Sequence, residues 1–307
     1  MGIASLLRRR WREHPSALGA VIAAVLVSLL VVAALRAFSD GIADASVRGS
    51  VTAADPEKRT LTVTLPLRAD NAAAAERAVS EATSGIAGRQ VYAARQATSL
   101  GLAGGAPTDR LQLAEVPAIG SHARLASGSW PQATSPGDPL AVAVPQAVAA
   151  TLHWSVGTRA SLTDLIDEKA APTPIEIVGV YAVTDRASPL WRLLPMALTG
   201  IERGEFTAYG PVVVPPGSLT DHTTMFWLVD LAPDRLDRAS AGPAADAADH
   251  AAEALQKAPA LVGATVTSGL GGVLRTAAAL GERTGRVLLT PMLLLLLLGG
   301  AALALAA

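Results

Sequence analysis

The chain has 307 residues, of which 50% are hydrophobic and only 17% are charged, and its formal net charge is −1. So low a charged fraction, against roughly 25% in an average soluble domain, argues against both a disordered chain and an ordinary cytosolic globule. The sequence contains no cysteine, which excludes disulfides, thiol catalysis and Cys-ligated zinc or iron–sulfur sites. The near-neutral charge gives no reason to expect a nucleic-acid partner.

The first long element is an apolar run over residues 17–35 that contains no charged side chain. A helix needs about 20 apolar residues to cross a hydrocarbon layer roughly 30 Å thick, so the run predicts a first transmembrane helix over residues 16–37. Cytoplasmic flanks of such helices are rich in arginine, and the basic segment 1–15 therefore predicts a cytoplasmic N-terminus. The arginines of this segment are Arg8, Arg9, Arg10 and Arg12.

A cleaved signal peptide is the alternative interpretation of this run, because Ala43, Asp44 and Ala45 resemble a small-x-small cleavage site. The apolar part of a signal peptide usually spans about 7–15 residues, and this run is longer. Arg36 also lies between the run and the triplet. The pattern favours an uncleaved membrane anchor.

Residues 38–269 alternate strand-like and helix-like segments. This alternation predicts a mixed α+β extracytoplasmic domain with β-α-β units at both ends and a β-rich middle. Asn71 is the predicted N-cap of the first helix, and Gly85 ends that helix. Strands are predicted at residues 59–67, 90–97, 111–116, 139–145, 159–162, 174–183, 210–214, 223–231 and 261–267, and helices at 71–84, 146–152 and 243–257.

A second uncharged apolar run covers residues 287–307 and predicts a second transmembrane helix. Residues 270–286 before it carry apolar side chains at helical spacing, so we expect one continuous helix whose first part is a stalk above the bilayer. A core helix followed by a separate membrane helix is the alternative. Because no Lys or Arg follows the run, we expect the sequence to be a truncated piece of a longer membrane protein, with a C-terminal anchor as the alternative.

No catalytic constellation is evident in the sequence. It contains neither a G-x-x-x-x-G-K-[ST] phosphate loop nor a G-x-S-x-G elbow, and no two of its five histidines have the i, i+4 spacing of a helical metal pair. Asp221 and His222 are typical of a solvated turn, and Asp164, Asp167 and Glu168 of an acidic loop. We therefore predict a protein that is not an enzyme, with no catalytic, cofactor or metal site, and its substrate residues stay unknown.

Four tryptophans stand out in a domain otherwise poor in aromatic residues. Core packing is the expected role of Trp130, Trp154, Trp191 and Trp227. Trp191 lies in a loop-like S-P-L-W-R-L-L-P segment. For this residue, docking on a partner or on the membrane surface is the alternative.

Three short motifs follow one another between the two apolar runs. They are A-S-G-S-W-P at residues 126–131, A-V-A-V-P-Q-A-V-A-A-T-L-H-W-S-V-G-T-R-A-S-L at residues 141–162, and I-E-I-V-G-V at residues 175–180. Gly157 would permit a tight turn between helix and strand, and Gly179 would let a neighbouring backbone approach. In order and spacing, these motifs and the two apolar runs resemble the FtsX-like, or MacB-like, ABC transporter permeases.

The resemblance implies the permease subunit of an ABC transporter of the mechanotransmission type, a multi-pass protein of the cell membrane. It implies a separate cytoplasmic ATPase subunit as partner. ATP would bind that partner, and this chain would need no cofactor. It also implies a dimer with itself or a related permease, contact with membrane lipid, and export of a lipid, peptide or antibiotic.

Family members carry at least four spans, and the cytoplasmic loop after their second span contacts the ATPase. The present sequence ends before that loop. The alternative function is a membrane-anchored extracellular binding module without an ATPase partner. An anchored extracellular enzyme is a third interpretation, for which the sequence offers no recognisable nucleophile or metal set.

Overall fold

The structure is a computed structural model that describes residues 15–306, apart from residues 68–70, 118, 136, 168 and 220–221. The chain forms two compact units. The predicted basic segment lies outside the described residues, except for its last residue. The helical unit comprises residues 1–55, 233–245 and 272–307, and the sheet unit comprises residues 56–232 and 246–271.

The described part of the chain contains five α-helices and eleven strands. The helices are α1 (Pro15–Ala53), α2 (Ala72–Thr83), α3 (Gln146–Leu152), α4 (Arg238–Lys257) and α5 (Leu270–Ala306). The strands are β1 (Leu61–Leu67), β2 (Arg89–Leu102), β3 (Asp109–Glu115), β4 (Ala123–Gly128), β5 (Leu140–Pro145), β6 (Arg159–Asp164), β7 (Thr173–Val183), β8 (Ile201–Arg203), β9 (Thr207–Val213), β10 (Thr223–Leu231) and β11 (Thr265–Ser268).

Among the described residues, one candidate membrane span is found, and it lies in helix α1. This span, Leu26–Ala53, has a mean hydropathy of 1.8, and its side chains are largely exposed. The helix does not end at residue 37, where we placed the end of the first span, but continues to Ala53. The physical reason is a packing face, since Ala43, Val47 and Val51 recur every four residues and are fully buried.

Helix α5 is a single helix of 37 residues, so the predicted continuity across residue 286 is confirmed. Pro291 lies within it without ending it. Leu274 and Ala277, in its first part, are fully buried. The division of this helix into a stalk and a second transmembrane span stays a prediction.

The sheet unit contains one mixed sheet with the strand order β11-β1-β10-β2-β3-β9-β5-β7-β4, to which β6 and β8 add side branches. Strands β1 and β2 flank β10, antiparallel to it, and α2 connects them. Strands β10 and β11 flank β1 in the same way, and α4 connects them. This is the ferredoxin-like β-α-β-β-α-β arrangement, with β3 to β9 inserted between β2 and β10. The predicted β-α-β units at both ends and the β-rich middle are therefore present.

Some predicted elements of the sheet unit differ from the structure. The strand predicted at residues 261–267 is reduced to β11, because Pro259–Leu261 forms a 3-10 turn. Helix α4 begins at Arg238 and includes Pro243, which we had placed at the helix start. Strands β4 and β8 were not predicted; they pair with β7 and β9 respectively.

Two hydrophobic clusters fill the sheet unit, one around Tyr181 and Trp191 and the other around Ile177. The two glycines singled out in the sequence have the predicted roles. Gly157 has a φ of +89° in the turn before β6. A Cβ at Gly179 would clash with the Ser129 carbonyl oxygen, so only glycine allows this close backbone approach.

Candidate functional site

A row of charged side chains follows the apolar part of α1. Arg36, Asp40 and Asp44 recur every four residues, and residues with this spacing lie on one side of a helix. Helix α5 carries Glu282 and Arg286 at the same spacing, directly before its apolar run. The charges on both helices therefore lie beside the ends of the two apolar runs.

These side chains line a cleft of about 690 Å³ within the helical unit, which we call the α1–α5 cleft. The first residues of α4 also line it. Four carboxylates face three guanidinium groups, so the cleft presents both signs of charge with a slight acidic excess. The charged lining residues are Arg36, Asp40, Asp44, Asp237, Arg238, Glu282 and Arg286.

Arg238 bridges α1 and α5. Its backbone N–H donates to Asp44 Oδ1 at 2.9 Å, and its Nη1 lies 3.9 Å from Asp40 Oδ1. On α5, a Cβ at Gly285 would come within 2.7 Å of the same Nη1 atom. A side chain at position 285 would therefore push the flexible end of Arg238 away from α5.

Helices α1 and α5 also pack directly against each other. A Cβ at Gly281 would lie 2.8 Å from Val47 Cγ2 and 3.6 Å from the Ala43 carbonyl oxygen. One turn along, Asp40 and Gly285 contact the same guanidinium. Residue numbers thus rise along α1 as they fall along α5, which makes the pair antiparallel. The apolar runs of the two helices therefore begin at the same level and extend in the same direction.

Asp237 caps the N-terminus of α4. Its Oδ1 accepts hydrogen bonds from the Ser240 backbone N–H and hydroxyl, both at 2.7 Å, while the Ser240 hydroxyl oxygen accepts the Asp237 N–H at 3.0 Å. These hydrogen bonds from Ser240 favour the carboxylate and hold the pKa of Asp237 below its ordinary value, and the nearby Arg48 charge adds a smaller effect. The cap keeps a negative charge at the positive end of the helix.

The three arginines of the cleft differ in how closely they pair with carboxylates. Arg286 Nη2 lies 3.1 Å from Glu282 Oε2, one helical turn away. The Arg238–Asp40 distance of 3.9 Å is at the outer limit of an ion pair. Arg36 forms no ion pair or hydrogen bond with the residues that the structure describes, and its side chain is exposed. Its guanidinium is therefore available to an external anion.

Trp191 is not a docking residue. Its side chain is 2% exposed, and its indole N–H donates to the Asp185 carbonyl oxygen. Trp227 is likewise buried, while Trp130 and Trp154 are partly buried against the two clusters. Packing, the expected role of the four tryptophans, is confirmed.

The acidic and histidine-containing loops show no binding arrangement. Asp164 Oδ1 accepts the backbone N–H groups of Ile166 and Asp167, which closes a turn, and Glu168 lies outside the described residues. His222 is exposed with a φ of 50°, and Asp221 also lies outside the described residues. Within the described ranges, no group of three or more His, Asp or Glu side chains could hold a metal ion.

The sequence did not suggest a contact between Ser188 and His122. Ser188 Oγ lies 3.0 Å from His122 Nδ1, and the imidazole lies between the rings of Tyr92 and Trp191. The same hydroxyl oxygen accepts the Leu190 N–H and caps a 3-10 turn. Ser188 is buried, with 5% of its surface exposed, and its hydroxyl stabilises this turn. We therefore assign a structural role to the Ser188–His122 pair.

The α1–α5 cleft was also missed in the sequence. The signal was available, since charges at four-residue spacing border both apolar runs. The spacing alone does not show that the two rows face each other. That step depends on the contact between Gly281 and Val47, which only the folded chain reveals.

Comparisons with known proteins give little further information. Protein-family models and curated protein sequences were both compared with the chain, and neither comparison finds a match. Among solved structures, the chain is similar to a domain "of a putative Permease protein from Porphyromonas gingivalis". The two are 14% identical, the match covers 69% of this chain and 88% of that chain, and the TM-score is 0.32. A similarity at this level carries no argument about fold or function.

Proposed function

We propose that this chain is the permease subunit, or part of it, of an ABC transporter of the mechanotransmission type. A partner ATPase in the cytoplasm would drive an extracytoplasmic domain, here the sheet unit, for export of a lipid, peptide or antibiotic. The observation that carries the proposal is the antiparallel pairing of α1 and α5. The resemblance of the central motifs to FtsX-like permeases supports the choice of transporter class.

The helix pairing supports two spans rather than one. Both apolar runs start at the level of the α1–α5 cleft and continue in one direction, which is the arrangement needed for two neighbouring transmembrane helices. The charged cleft residues would then lie in the headgroup layer at the end of the hydrocarbon core. With a cytoplasmic N-terminus, residues between the two runs would lie outside the cell.

The proposed coupling needs an element with two arrangements that the ATPase cycle favours in turn. The contacts around Arg238 suit such an element, because one side chain touches both long helices. The ion pair to Asp40 is long and solvent-exposed, so it resists sliding of α1 along α5 only weakly. Helix α5 is continuous from Leu270 into its apolar run and would carry such a movement along its axis.

The first test determines the topology by cysteine labelling. The unaltered chain contains no cysteine and therefore gives no background signal. Ala106→Cys places a thiol in the exposed loop between β2 and β3, and Ser5→Cys places one in the predicted cytoplasmic segment. In intact spheroplasts, a membrane-impermeant maleimide should label the first variant, and it should label the second only after lysis. Labelling of Ala106→Cys only after lysis would contradict the two-span topology.

The ATPase partner is tested by purification from the native host. A tag at the N-terminus of the chromosomal copy should recover an ATPase subunit with a phosphate-binding loop, together with ATP hydrolysis that is sensitive to vanadate. Gly285→Leu, which displaces Arg238 from α5, should leave the ATPase bound but uncouple its activity from transport. Correct topology with no associated ATPase would instead favour the membrane-anchored binding module.

A further inference from the structure

The α1–α5 cleft has features of a binding site for a small ligand. Its volume of about 690 Å³ lies within the range of small-molecule pockets. It borders both apolar runs, because Arg36 directly follows the first run and Arg286 directly precedes the second. If the two-span topology holds, the molecules that reach this cleft from the side are membrane lipids, and their headgroups lie at its depth.

The charges in the cleft fit a ligand that carries both signs. Four carboxylates and three guanidinium groups give a slight negative excess, which disfavours a purely anionic ligand. The N-terminus of α4 is not a free anion site either, because Asp237 caps it and Asp44 accepts the Arg238 N–H. A ligand with one anionic and one cationic group matches this arrangement better than a free phosphate does.

Two lining residues are available to such a ligand. Arg36 has no partner among the described residues, and a guanidinium binds a phosphate through two parallel hydrogen bonds. Asp40 is half-exposed, and its distance of 3.9 Å from Arg238 leaves its carboxylate weakly paired. The two residues are one helical turn apart on the same side of α1, so one headgroup can contact both.

We propose that the α1–α5 cleft binds the headgroup of an amine-bearing zwitterionic phospholipid, with the phosphate on Arg36 and the primary ammonium on Asp40. The inference rests on the two-span topology of the proposed function and does not depend on an ATPase partner. A primary ammonium donates hydrogen bonds to a carboxylate, whereas a quaternary ammonium has no N–H to donate. The cleft therefore selects phosphatidylethanolamine over phosphatidylcholine.

The test is native mass spectrometry of the delipidated chain in detergent, titrated separately with phosphatidylethanolamine, phosphatidylcholine and phosphatidylglycerol. The chain should retain one phosphatidylethanolamine and bind the other two lipids more weakly. Arg36→Gln and Asp40→Asn should each weaken that binding by about tenfold, the effect of losing one charge-assisted contact. The matched controls Arg203→Gln and Asp138→Asn, at exposed positions of the sheet unit, should bind as the unaltered chain does.

Several outcomes would overturn the proposal. Equal retention of all three lipids, unaffected by Arg36→Gln, would mean annular lipid only. Displacement of phosphatidylethanolamine by inorganic phosphate at similar concentration would mean a site for free anions. Because Asp40→Asn also removes an ion pair, hydrogen exchange of α1 must match that of the unaltered chain, and Arg36→Gln provides the independent variant. Correct topology in the labelling experiment with no lipid selectivity would refute this inference alone, whereas failed topology would refute both proposals.

Discussion

The two units of the chain use apolar residues in opposite ways. In the sheet unit Ile177, Leu190 and Val142 are completely buried between strands and turns. In α1 of the helical unit, Leu30 is 72% exposed and Leu26 is 60% exposed. Burial within the sheet unit supplies its own stability, whereas the exposed apolar side chains of α1 are compatible with an apolar environment outside the chain. Composition alone does not distinguish apolar residues that form a core from apolar residues that stay exposed. The solvent accessibility of the side chains in the folded chain does distinguish them.

The two units also differ in how many partners their polar side chains have. Several buried polar side chains of the sheet unit form hydrogen bonds within the unit, as in the bond from Gln96 Nε2 to the Leu193 carbonyl and the bond from the Leu219 N–H to Glu115 Oε1. In the helical unit Arg36 and Asp40 face a cleft with few committed partners. Fully paired polar groups specify structure, and uncommitted charges are the ones available for binding.

The largest expected effect tests the buried core of the sheet unit. Ile177→Ala should lower the free energy of unfolding by about 2–5 kcal/mol, because it removes apolar area and leaves a cavity at a fully buried position. Ile166→Ala, at a side chain that is 55% exposed, is the matched control and should change stability by less than about 0.5 kcal/mol. Denaturant unfolding of the chain in detergent measures both, and equal losses would mean that this core does not carry the stability of the unit.

An intermediate effect tests the helix pair. Gly281→Leu should destabilise the pair by about 1–3 kcal/mol, since the new side chain would overlap Val47. Gly272→Leu adds the same side chain to the same helix where nothing lies within 4 Å of the new Cβ, so it should be neutral or stabilising. Hydrogen exchange resolved by peptide should show faster exchange in α1 and α5 for the first variant alone. Unchanged exchange at residues 38–53 would show that the two helices are not packed as described.

The smallest effect compares helix caps in the two units. Asp237→Ala should cost about 0.5–2 kcal/mol, because the hydrogen bonds to Ser240 are lost. Asn71→Ala should cost less, since the Asn71 side chain makes no capping hydrogen bond to α2. Urea unfolding at pH 7 measures the difference, and an equal cost at both positions would contradict the capping geometry.

The cost of Asp237→Ala should also depend on pH. The pKa of Asp237 is lowered in the folded chain, so the carboxylate stabilises the fold above the unfolded pKa of about 3.9. That contribution is lost as the pH falls through the lower folded value. The difference between the unaltered chain and the Asp237→Ala variant should therefore shrink from pH 5 to pH 3, whereas Asn71→Ala should show no such trend.

Much of the sheet unit was predictable because its signals are local. Alternation of Leu61, Val63 and Leu65 predicted β1, and the bounds of α3 and β10 agree with the sequence pattern. Trp191 was the ambiguous case, since its flanking prolines are typical of a loop. Core packing, its expected role, is confirmed and the docking alternative is wrong, because the ring, in a 3-10 turn, is buried in the core.

The sequence by itself determined the two apolar helices, the α+β class of the region between them and the absence of thiol chemistry, because hydropathy, periodicity and composition are properties of short segments. The tertiary structure decided the ferredoxin-like strand order, the antiparallel pairing of α1 with α5 and the meeting of their charges around Arg238. These features join residues that are far apart in the chain, such as Asp44 and Arg238, which are 194 positions apart. No local pattern specifies such contacts, since they arise only when packing brings distant surfaces together.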